Sequence, residues 1–468
     1  MIRLVSCLGK RKVRDDRSGL GGTHVDIEQP VKRSFTRSEF LSAGAMAGAG
    51  LVILSGCGGS SSPQQTGGGA GYSGPKVELD FWNGLTGGDG PYMLKLIERF
   101  NSQNKNIKVK MSAIEWDVFY QKLPSAISVG KGPQIALMQS FYVPTFAARH
   151  IIMPLDDVAQ SLGLKASDFT PAVWEAGTYD GQRYGIPLDV WPYALYYNKT
   201  VMEKGGLDPD KPPQTGDEYI SALEQLKAEG IQGWWIEPTY PTVGWLFQSL
   251  IPQNGGSLLN EDLTEATINS DPNLEALTWL TDMVRKGYSP DDVGTDTDDV
   301  AFQNGKSAFM WIGPWQINYW KQYKDLEWGV TTVPKVGAQK GTWAGSHNFV
   351  IPQQRNQDPN ELQASKVFIN YISENSADWA EAGQVPARES VRETQAFKSL
   401  KEQNVFAEEL PYVHFSPKLP GFDDIDRNAL TPALNQALLL TKEPKAALDE
   451  ANERANQLLK ENRESYKG

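Results

Sequence analysis

The glycine-rich and charged motifs of the chain are the first places where its chemistry could lie. A glycine-rich loop at residues 84–90 falls between a predicted strand and helix, where phosphates often bind, but its spacing does not fit GxGxxG. Gly305-Lys306-Ser307 resembles the end of a P-loop, yet Val300 stands where the first glycine belongs, so Gly305 is predicted to follow a helix end. The sequence contains neither HExxH nor GxSxG. We therefore expect no catalytic residues, no metal site, no cofactor and no enzyme activity.

An acidic run between Asp291 and Asp299 is the densest cluster of charge. It lacks the glycine and the terminal glutamate of a calcium-binding loop. Carboxylates are favoured at helix N-termini by the helix dipole. We therefore expect this run to be the solvated start of a helix.

Aromatic residues are the most informative candidates for binding, since the chain has 14 Trp, 17 Tyr and 17 Phe. Many follow predicted strands or lie in Gly/Pro-rich loops rather than on helical stripes. Sugar rings stack their C–H faces on indole while their hydroxyls form hydrogen bonds at the rim. The pattern thus predicts a cleft for a flat, partly apolar ligand with a polar edge.

Alternating hydrophobic residues at Val77, Leu79 and Phe81 predict a strand, and a helix with a buried face follows from Pro91. Two further strands are predicted at 107–111 and 134–138, with a helix between them that ends near Gly130. Strands alternating with helices indicate an α/β fold with a mostly parallel sheet. The patterns also predict helices at 219–228, 274–286, 298–304 and over much of 430–463.

Composition narrows the class of protein. Of 468 residues, 40% are hydrophobic and 22% charged, which is typical of a globular protein. The net charge of −12 argues against a nucleic-acid-binding surface. Only Cys7 and Cys57 are present, so a disulfide scaffold in the globular part is excluded.

The N-terminal segment has the layout of an export signal: a basic stretch, a short apolar run from Phe40 to Leu54, then small residues. Leu54-Ser55-Gly56-Cys57 resembles the lipobox of bacterial lipoproteins, which implies cleavage after residue 56 and lipidation of Cys57. Residues 57–75 are rich in Gly and Ser and are predicted to be a flexible tether. We therefore expect a body anchored by lipid at the outer face of the cytoplasmic membrane.

Several motifs occur together in the order typical of family 1 extracellular solute-binding proteins, which are carbohydrate-binding components of ABC importers and include maltose-binding protein. The chain is similar to this family over about residues 76–460. The motifs that carry the resemblance are Phe81-Trp82-Asn83-Gly84, Tyr179 to Pro187, Pro187-Leu188-Asp189, Ala194 to Asn198, Phe302 to Met310 and Gly313-Pro314-Trp315.

The resemblance implies a two-lobed periplasmic-binding-protein fold (type II) with the ligand between the lobes. Lobe one is expected at 76–189 and 343–390, and lobe two at 190–342 and 391–468, with hinges near 189–191 and 341–343. The expected partners are a carbohydrate and the permease subunits, for a monomeric protein. The candidate ligand-binding residues are Trp82, Asn83, Thr86, Asp89, Trp116, Asp189, Trp191, Tyr240, Trp245, Trp311, Trp315, Trp343, His347 and Arg388.

Two other functions remain open at this point. A receptor for a phosphorylated or charged solute such as glycerol phosphate would need Arg or Lys in the cleft. Only Arg183 and Arg388 fall near the expected cleft, which favours a neutral ligand. An anchored glycoside hydrolase would need a pair of carboxylates in an aromatic cleft.

Overall fold

The computed structural model describes residues 72–466. The predicted signal, the lipidation site and most of the tether therefore lie outside the described residues. Within 72–466, no helix is both long and apolar enough to cross a membrane. The strands are β1 Val77–Asn83, β2 Ile107–Ala113, β3 Ile135–Gln139, β4 Thr178–Tyr179, β5 Gln182–Arg183, β6 Ile186–Pro187, β7 Asp189–Pro192, β8 Ala194–Asn198, β9 Phe309–Ile312, β10 Trp328–Thr331, β11 Thr342–Gly345, β12 His347–Val350, β13 Val385–Pro386 and β14 Val413–His414.

Helices surround these strands, and short 3-10 turns and one π turn join some of them. The helices are α1 Gly90–Gln103, α2 Trp116–Ser128, α3 Val143–Ala148, α4 Asp156–Ser161, α5 Pro171–Glu175, α6 Lys199–Lys204, α7 Gly216–Ala228, α8 Thr242–Leu250, α9 Asp271–Arg285, α10 Thr297–Gln303, α11 Ile317–Trp320, α12 Pro359–Glu374, α13 Ser376–Ala380, α14 Glu389–Arg392, α15 Gln395–Lys398, α16 Lys401–Glu408, α17 Phe422–Ile425, α18 Thr431–Leu438 and α19 Pro444–Ser465.

The first α/β unit forms as its hydrophobic pattern predicts. In β1, Leu79 and Phe81 are buried and their neighbours Glu78 and Asp80 are exposed. α1 begins with proline in its first turn, where the missing N–H costs nothing, and it buries Met93, Leu96, Ile97 and Phe100. Each such side chain contributes about 1.5–3 kcal/mol by leaving water. The predicted helices at 219–228, 274–286 and 298–304 are also confirmed, as α7, α9 and α10.

The first sheet has the strand order β2-β1-β3-β12-β6. β2, β1 and β3 are parallel, whereas β12 runs antiparallel to both of its neighbours. A sheet of β10, β8 and β9 is antiparallel throughout. The prediction of a mostly parallel sheet therefore holds for β1, β2 and β3 only, since the later strands pair antiparallel apart from β11 with β14. Most of these strands pair with segments distant in sequence, whose direction the local pattern does not specify.

A third sheet has the strand order β13-β7-β11-β14. The chain runs through this sheet each time it passes between the other two. The chain passes from β6 of the first sheet to β7 of this one at Leu188, and returns from β11 to β12 at Ser346. The two passages are bonded to each other, since the Leu188 N–H donates to the His347 carbonyl at 2.8 Å. Two neighbouring connections thus join the sheets, while the lobe boundaries themselves stay a prediction.

Candidate ligand-binding site

A cavity of about 490 Å³ lies where the loop after β1 meets the region around β7, β9 and β12. The glycine-rich loop 84–90, the start of α2 and the first residue of β12 contribute one part of its wall. β7, the start of α10 and the turn after β9 contribute another. Seven of the residues predicted from the sequence line it, namely Thr86, Asp89, Trp116, Trp191, Trp245, Trp315 and His347.

Three of the lining indoles lie directly against glycines. A Cβ added at any of these glycines would come within about 2 Å of the indole, which no real contact allows. The indoles therefore occupy space that another residue type would fill with its own side chain. The distance from such an added Cβ to the nearest indole atom would be 1.9 Å for Gly84 and Trp116, 1.8 Å for Gly313 and Trp315, and 2.1 Å for Gly345 and Trp191.

The aromatic residues pack against one another rather than standing alone. Trp245 stacks on the fully buried Trp343 with ring centroids 4.3 Å apart. Trp191 meets Trp315 edge to face at 5.6 Å and Trp343 at 5.3 Å. Such pairs are worth about 0.5–1.5 kcal/mol each beyond their buried area, so the wall is rigid. Trp343 itself supports the wall from behind, and its Nε1 donates to Ser416 at 2.9 Å.

Asp189 lies at the first passage between the sheets and is fully buried. Its Oδ1 accepts from the backbone N–H of His347 at 2.8 Å. Its Oδ2 lies 2.8 Å from His347 Nδ1 and accepts from Trp379 Nε1 at 2.8 Å. Burial disfavours a charged imidazole, but Asp189 outweighs this and the pKa of His347 is raised. Asp189 thus fixes the ring that reaches the cavity, where it stacks on Trp116 at 5.6 Å.

Carboxylates that were not among the residues predicted from the sequence line another part of the cavity. Glu237, Asp298 and Asp299 line the cavity, and we call these three residues the acidic wall. Glu237 and Asp298 are only 6% and 7% exposed. Asp298 and Asp299 do lie in the first turn of α10, as predicted. The expectation that the run is solvated is wrong for Asp298, which is buried, and Asp299 is half-buried. Its earlier members Asp291, Asp292 and Asp296 are exposed.

Burial changes the acidity of these groups. Burial raises the pKa of Asp298 to about 8, and the charges of Asp299 and Glu237 add to the effect. Burial likewise raises the pKa of Asp299 to about 6 and raises that of Glu237. On the other side, burial raises the pKa of Asp89, against the lowering effect of His347. The cavity therefore holds acids whose ionised forms are poorly stabilised by the protein alone.

Two further candidates lie next to the cavity without lining it. Trp82 is half-buried on β1 and lies beneath the Lys122 ammonium, which is 4.5 Å from its ring centroid. Asn83 is fully buried, and its Oδ1 accepts from the Leu85 N–H at 3.1 Å, which shapes the glycine-rich loop.

The other three candidates lie elsewhere in the molecule. Tyr240 donates its hydroxyl to Asp423 at 2.5 Å. Trp311 is packed in the core, stacked on Trp234 at 5.4 Å. The Nε of Arg388 donates to Ser373 at 2.8 Å. Arg388 was the one arginine among the candidate ligand-binding residues, and it does not line the cavity.

The missed residues carried weak sequence signals. Tyr193, which also lines the cavity, follows Trp191 by two residues, so both can face the same side of an extended segment. Asp298 and Asp299 were visible in the acidic run, but burial of a helix N-terminus depends on what packs over it. Glu237 has no local signal beyond the aromatic run at 234–235 that precedes it.

Comparison with known proteins places these features in context. The family model described as bacterial extracellular solute-binding protein matches residues 95–405. The sn-glycerol-3-phosphate-binding periplasmic protein of Shigella flexneri is 26% identical over 423 residues, which cover 83% of this chain and 94% of that protein.

Solved structures give the same picture of the fold. The cyclic alpha-maltosyl-1,6-maltose binding protein of Arthrobacter globiformis superposes with a TM-score of 0.71 at 23% identity, covering 83% of this chain and all of that one. An ABC transporter solute-binding protein of Thermotoga lettingae, bound to alpha-D-tagatose, gives 0.71 at 25% identity and covers 82% of this chain and 100% of its own. The predicted two-lobed α/β binding-protein fold is thereby confirmed.

Proposed function

The chain belongs to the bacterial extracellular solute-binding protein family, and we propose that it captures a sugar or oligosaccharide outside the cytoplasm and delivers it to an ABC permease. The observation that carries the proposal is the cavity in which Trp191, Trp245 and Trp315 meet buried carboxylates. Apolar ring faces and hydrogen-bonding hydroxyls are the two surfaces that a sugar presents. Neither a purely apolar nor a purely ionic ligand would use both.

The indoles supply most of the expected affinity. A sugar that covers half of a roughly 200 Å² indole removes on the order of 100 Å² from water. At about 25 cal/mol per Å², this contributes about 2.5 kcal/mol, or nearly two decades in Kd. The carboxylates then accept hydrogen bonds from hydroxyls and select the orientation of the ring.

Delivery would follow from closure of two lobes on the ligand. The segments about which such closure would occur are the passages at Leu188 and Ser346, in place of the hinges expected near 189–191 and 341–343, because residues 342–345 lie within β11. His347 connects the second passage to the cavity wall. A ligand that contacts both sides of the cavity stabilises the closed form by its differential contacts. The closed form is then the one that docks on the permease. Scattering with and without ligand tests this step, since closure reduces the radius of gyration.

A phosphorylated ligand is the main alternative, since the Shigella flexneri relative is named for glycerol phosphate. None of the described residues that line the cavity is lysine or arginine, and several are carboxylates. The imidazole of His347 also lines the cavity, but it is paired with Asp189, so an anionic group would meet repulsion from the carboxylates with little compensation. This charge balance favours a sugar over a phosphate.

Membrane anchoring is proposed from the sequence alone. Cys57 after Leu54-Ser55-Gly56 would carry the lipid, and residues 57–75 would hold the body away from the membrane. One acyl chain binds reversibly, so stable anchoring implies more than one chain on the cysteine. A Cys57→Ala variant should leave the membrane fraction for the soluble one, and its retention with membranes would contradict the proposal.

The ligand itself is found with a thermal-shift screen. The full chain is heated with a panel of mono- and oligosaccharides, with sn-glycerol 3-phosphate as the anionic comparison. We expect a sugar to raise the Tm by mass action and the phosphate to leave it unchanged. Stabilisation by the phosphate alone would overturn the sugar assignment. Product analysis of the same mixtures tests the hydrolase alternative, which requires turnover of glycosides.

A further inference from the structure

The charge of the cavity is more acidic than a neutral sugar requires. Five carboxylates line it: Asp89, Glu237, Asp296, Asp298 and Asp299. No lysine or arginine is among the described residues of its wall, and the imidazole of His347 is already paired with Asp189. None of the five takes part in an ion pair within residues 72–466.

The acidic wall is satisfied by neutral donors only. Asp298 Oδ1 accepts from the Asp299 N–H at 2.9 Å. Both oxygens of Asp299 accept from the side-chain amide of Gln316, at 2.8 and 2.9 Å. Glu237 accepts from the hydroxyl of Thr239. These neutral donors position the acidic groups without supplying a positive charge, so ionising all three groups together stays unfavourable.

Two polar atoms in the wall are, in addition, enclosed and unpartnered. The Oδ1 of Asp89 has no hydrogen-bond partner although it is buried. The Nε1 of Trp191 also has none, on a side chain that is 2% exposed. Buried polar groups are almost always bonded, so a ligand that supplies both a donor and an acceptor fits these atoms. A ligand with hydroxyls and an amine has both.

The aromatic wall suits a cation as well as a sugar face. An ammonium is attracted to the face of an indole, most strongly where water is excluded. Trp191, Trp245 and Trp315 line the same cavity as the acidic wall. Among residues 72–466, no three His, Cys, Asp or Glu side chains are placed to hold a metal ion, so an organic cation is the better match.

We propose that the ligand is an amino sugar, whose protonated amine lies at the acidic wall while its ring stacks on the indoles. This inference rests on the proposed sugar-receptor function and narrows its substrate class. The ammonium contributes the missing positive charge, and the remaining hydroxyls meet Asp89 and Trp191.

The acidity of the wall supplies a second signature. Burial raises the pKa of Asp298 to about 8, so at pH 7 this carboxyl mostly retains its proton. A bound ammonium favours the ionised form and drives that proton into solution. The titratable and polar groups that face Asp298 and Asp299 are Tyr193, Glu237, Asp296, Gln316 and Tyr319. None of these is a cation that would produce the same release.

Calorimetry with matched sugars tests the proposal. The full chain is titrated with glucose, galactose and mannose, and with the 2-amino and N-acetylated forms of each sugar. A further set consists of the β-1,4-linked disaccharide of glucose and its 2-amino and N-acetylated forms. Within a set, only the group at C2 differs. We expect an amine to bind about tenfold tighter than its neutral partners and to release protons, measured in two buffers of different ionisation enthalpy.

A variant locates the amine. Asp298→Asn should abolish the preference for the amine over its neutral partners, together with the proton release that accompanies amine binding. Asp292→Asn, in the exposed part of the same acidic run, should keep both. Neutral sugars that bind as tightly as their amines overturn this inference but leave the sugar receptor standing. Failure of every sugar in all sets overturns the proposed function and the inference together.

Discussion

Asp189 and the acidic wall are both withdrawn from water, yet they differ in what surrounds them. Asp189 accepts three hydrogen bonds and has the imidazole of His347 beside it. In the acidic wall, Glu237 and Asp298 are nearly as buried and Asp299 is half-buried, and the hydrogen-bond donors to the wall are neutral. A buried charge with its partners contributes to the fold, whereas one without them destabilises it until a ligand arrives. The contrast assigns Asp189 to the framework that supports the site and the acidic wall to ligand binding.

Removing Asp189 should have the largest effect on stability. Asp189→Ala leaves the ring of His347 and the Trp379 N–H buried without an acceptor, so the free energy of unfolding should fall by about 3–5 kcal/mol. Urea unfolding followed by circular dichroism measures this loss. Asp292→Ala, at an exposed position, is the control and should change stability by under about 0.5 kcal/mol. A loss below about 1 kcal/mol in Asp189→Ala would remove it from the framework.

Neutralising the acidic wall should have the opposite sign. The pKa of Asp298 is raised to about 8 in the folded protein, so folding binds a proton that the unfolded chain releases near pH 4. The stability due to this proton is present at low pH and is lost as pH rises from about 4 to about 8.

Asp298→Asn has no carboxyl to ionise, so it should not lose stability between pH 4 and pH 8 for this reason. Relative to the original chain it should be stabilised on the order of 3 kcal/mol at pH 8 and hardly at all at pH 4, without ligand. Thermal melts at both pH values measure the difference. An equal effect at the two pH values would mean that Asp298 is already compensated by the protein.

Truncating the indole of Trp315 tests the aromatic part of the cavity wall. Trp315→Ala should weaken sugar binding by about 2.5 kcal/mol, because the ring loses its stacking surface. Titration calorimetry provides the value. Trp311→Phe, four residues earlier and in the core, should alter stability but not affinity. An unchanged affinity in folded Trp315→Ala would assign that residue to packing alone.

Salt should have the smallest effect and distinguish the two ligand types. Raising NaCl from 20 to 200 mM should weaken binding of an amino sugar about threefold, since the screening length falls below the size of the site. Binding of the neutral counterpart should stay the same, which controls for general effects of salt. Equal salt dependence for both would argue against a charge at the acidic wall.

Local patterns predicted the elements of the fold better than their pairing. β1 and α1 follow from alternation and helical spacing, because those periods reflect which face is buried. The antiparallel pairing of β12 with β3 joins residues about 200 positions apart, and no local pattern encodes it. Family motifs predicted the two-lobed class because they condense such long-range information.

The candidate site was predicted in part for the same reason. Trp315 follows a glycine and proline at a strand end, which turned its indole toward the cavity. Trp311 has the same residue type four positions earlier, but it lies within β9 and packs in the core. Asp298 and Asp299 looked like an ordinary helix start, because their surroundings depend on segments other than their own helix, among them the turn after β9, whose Gln316 donates to Asp299. Type and local spacing identify candidates, and tertiary packing selects among them.

The glycines that pack against the indoles allow substitutions outside the cavity lining to change the shape of the cavity. Gly313 and Gly345 do not line the cavity, yet each determines where an indole that does line it can rest. A single methyl group there would tilt the ring and reshape the binding surface while every ligand-facing side chain stays the same. New specificities can therefore arise by changes that a comparison of contact residues would overlook. For protein engineering, these backbone positions are a set of controls separate from the chemistry of the site.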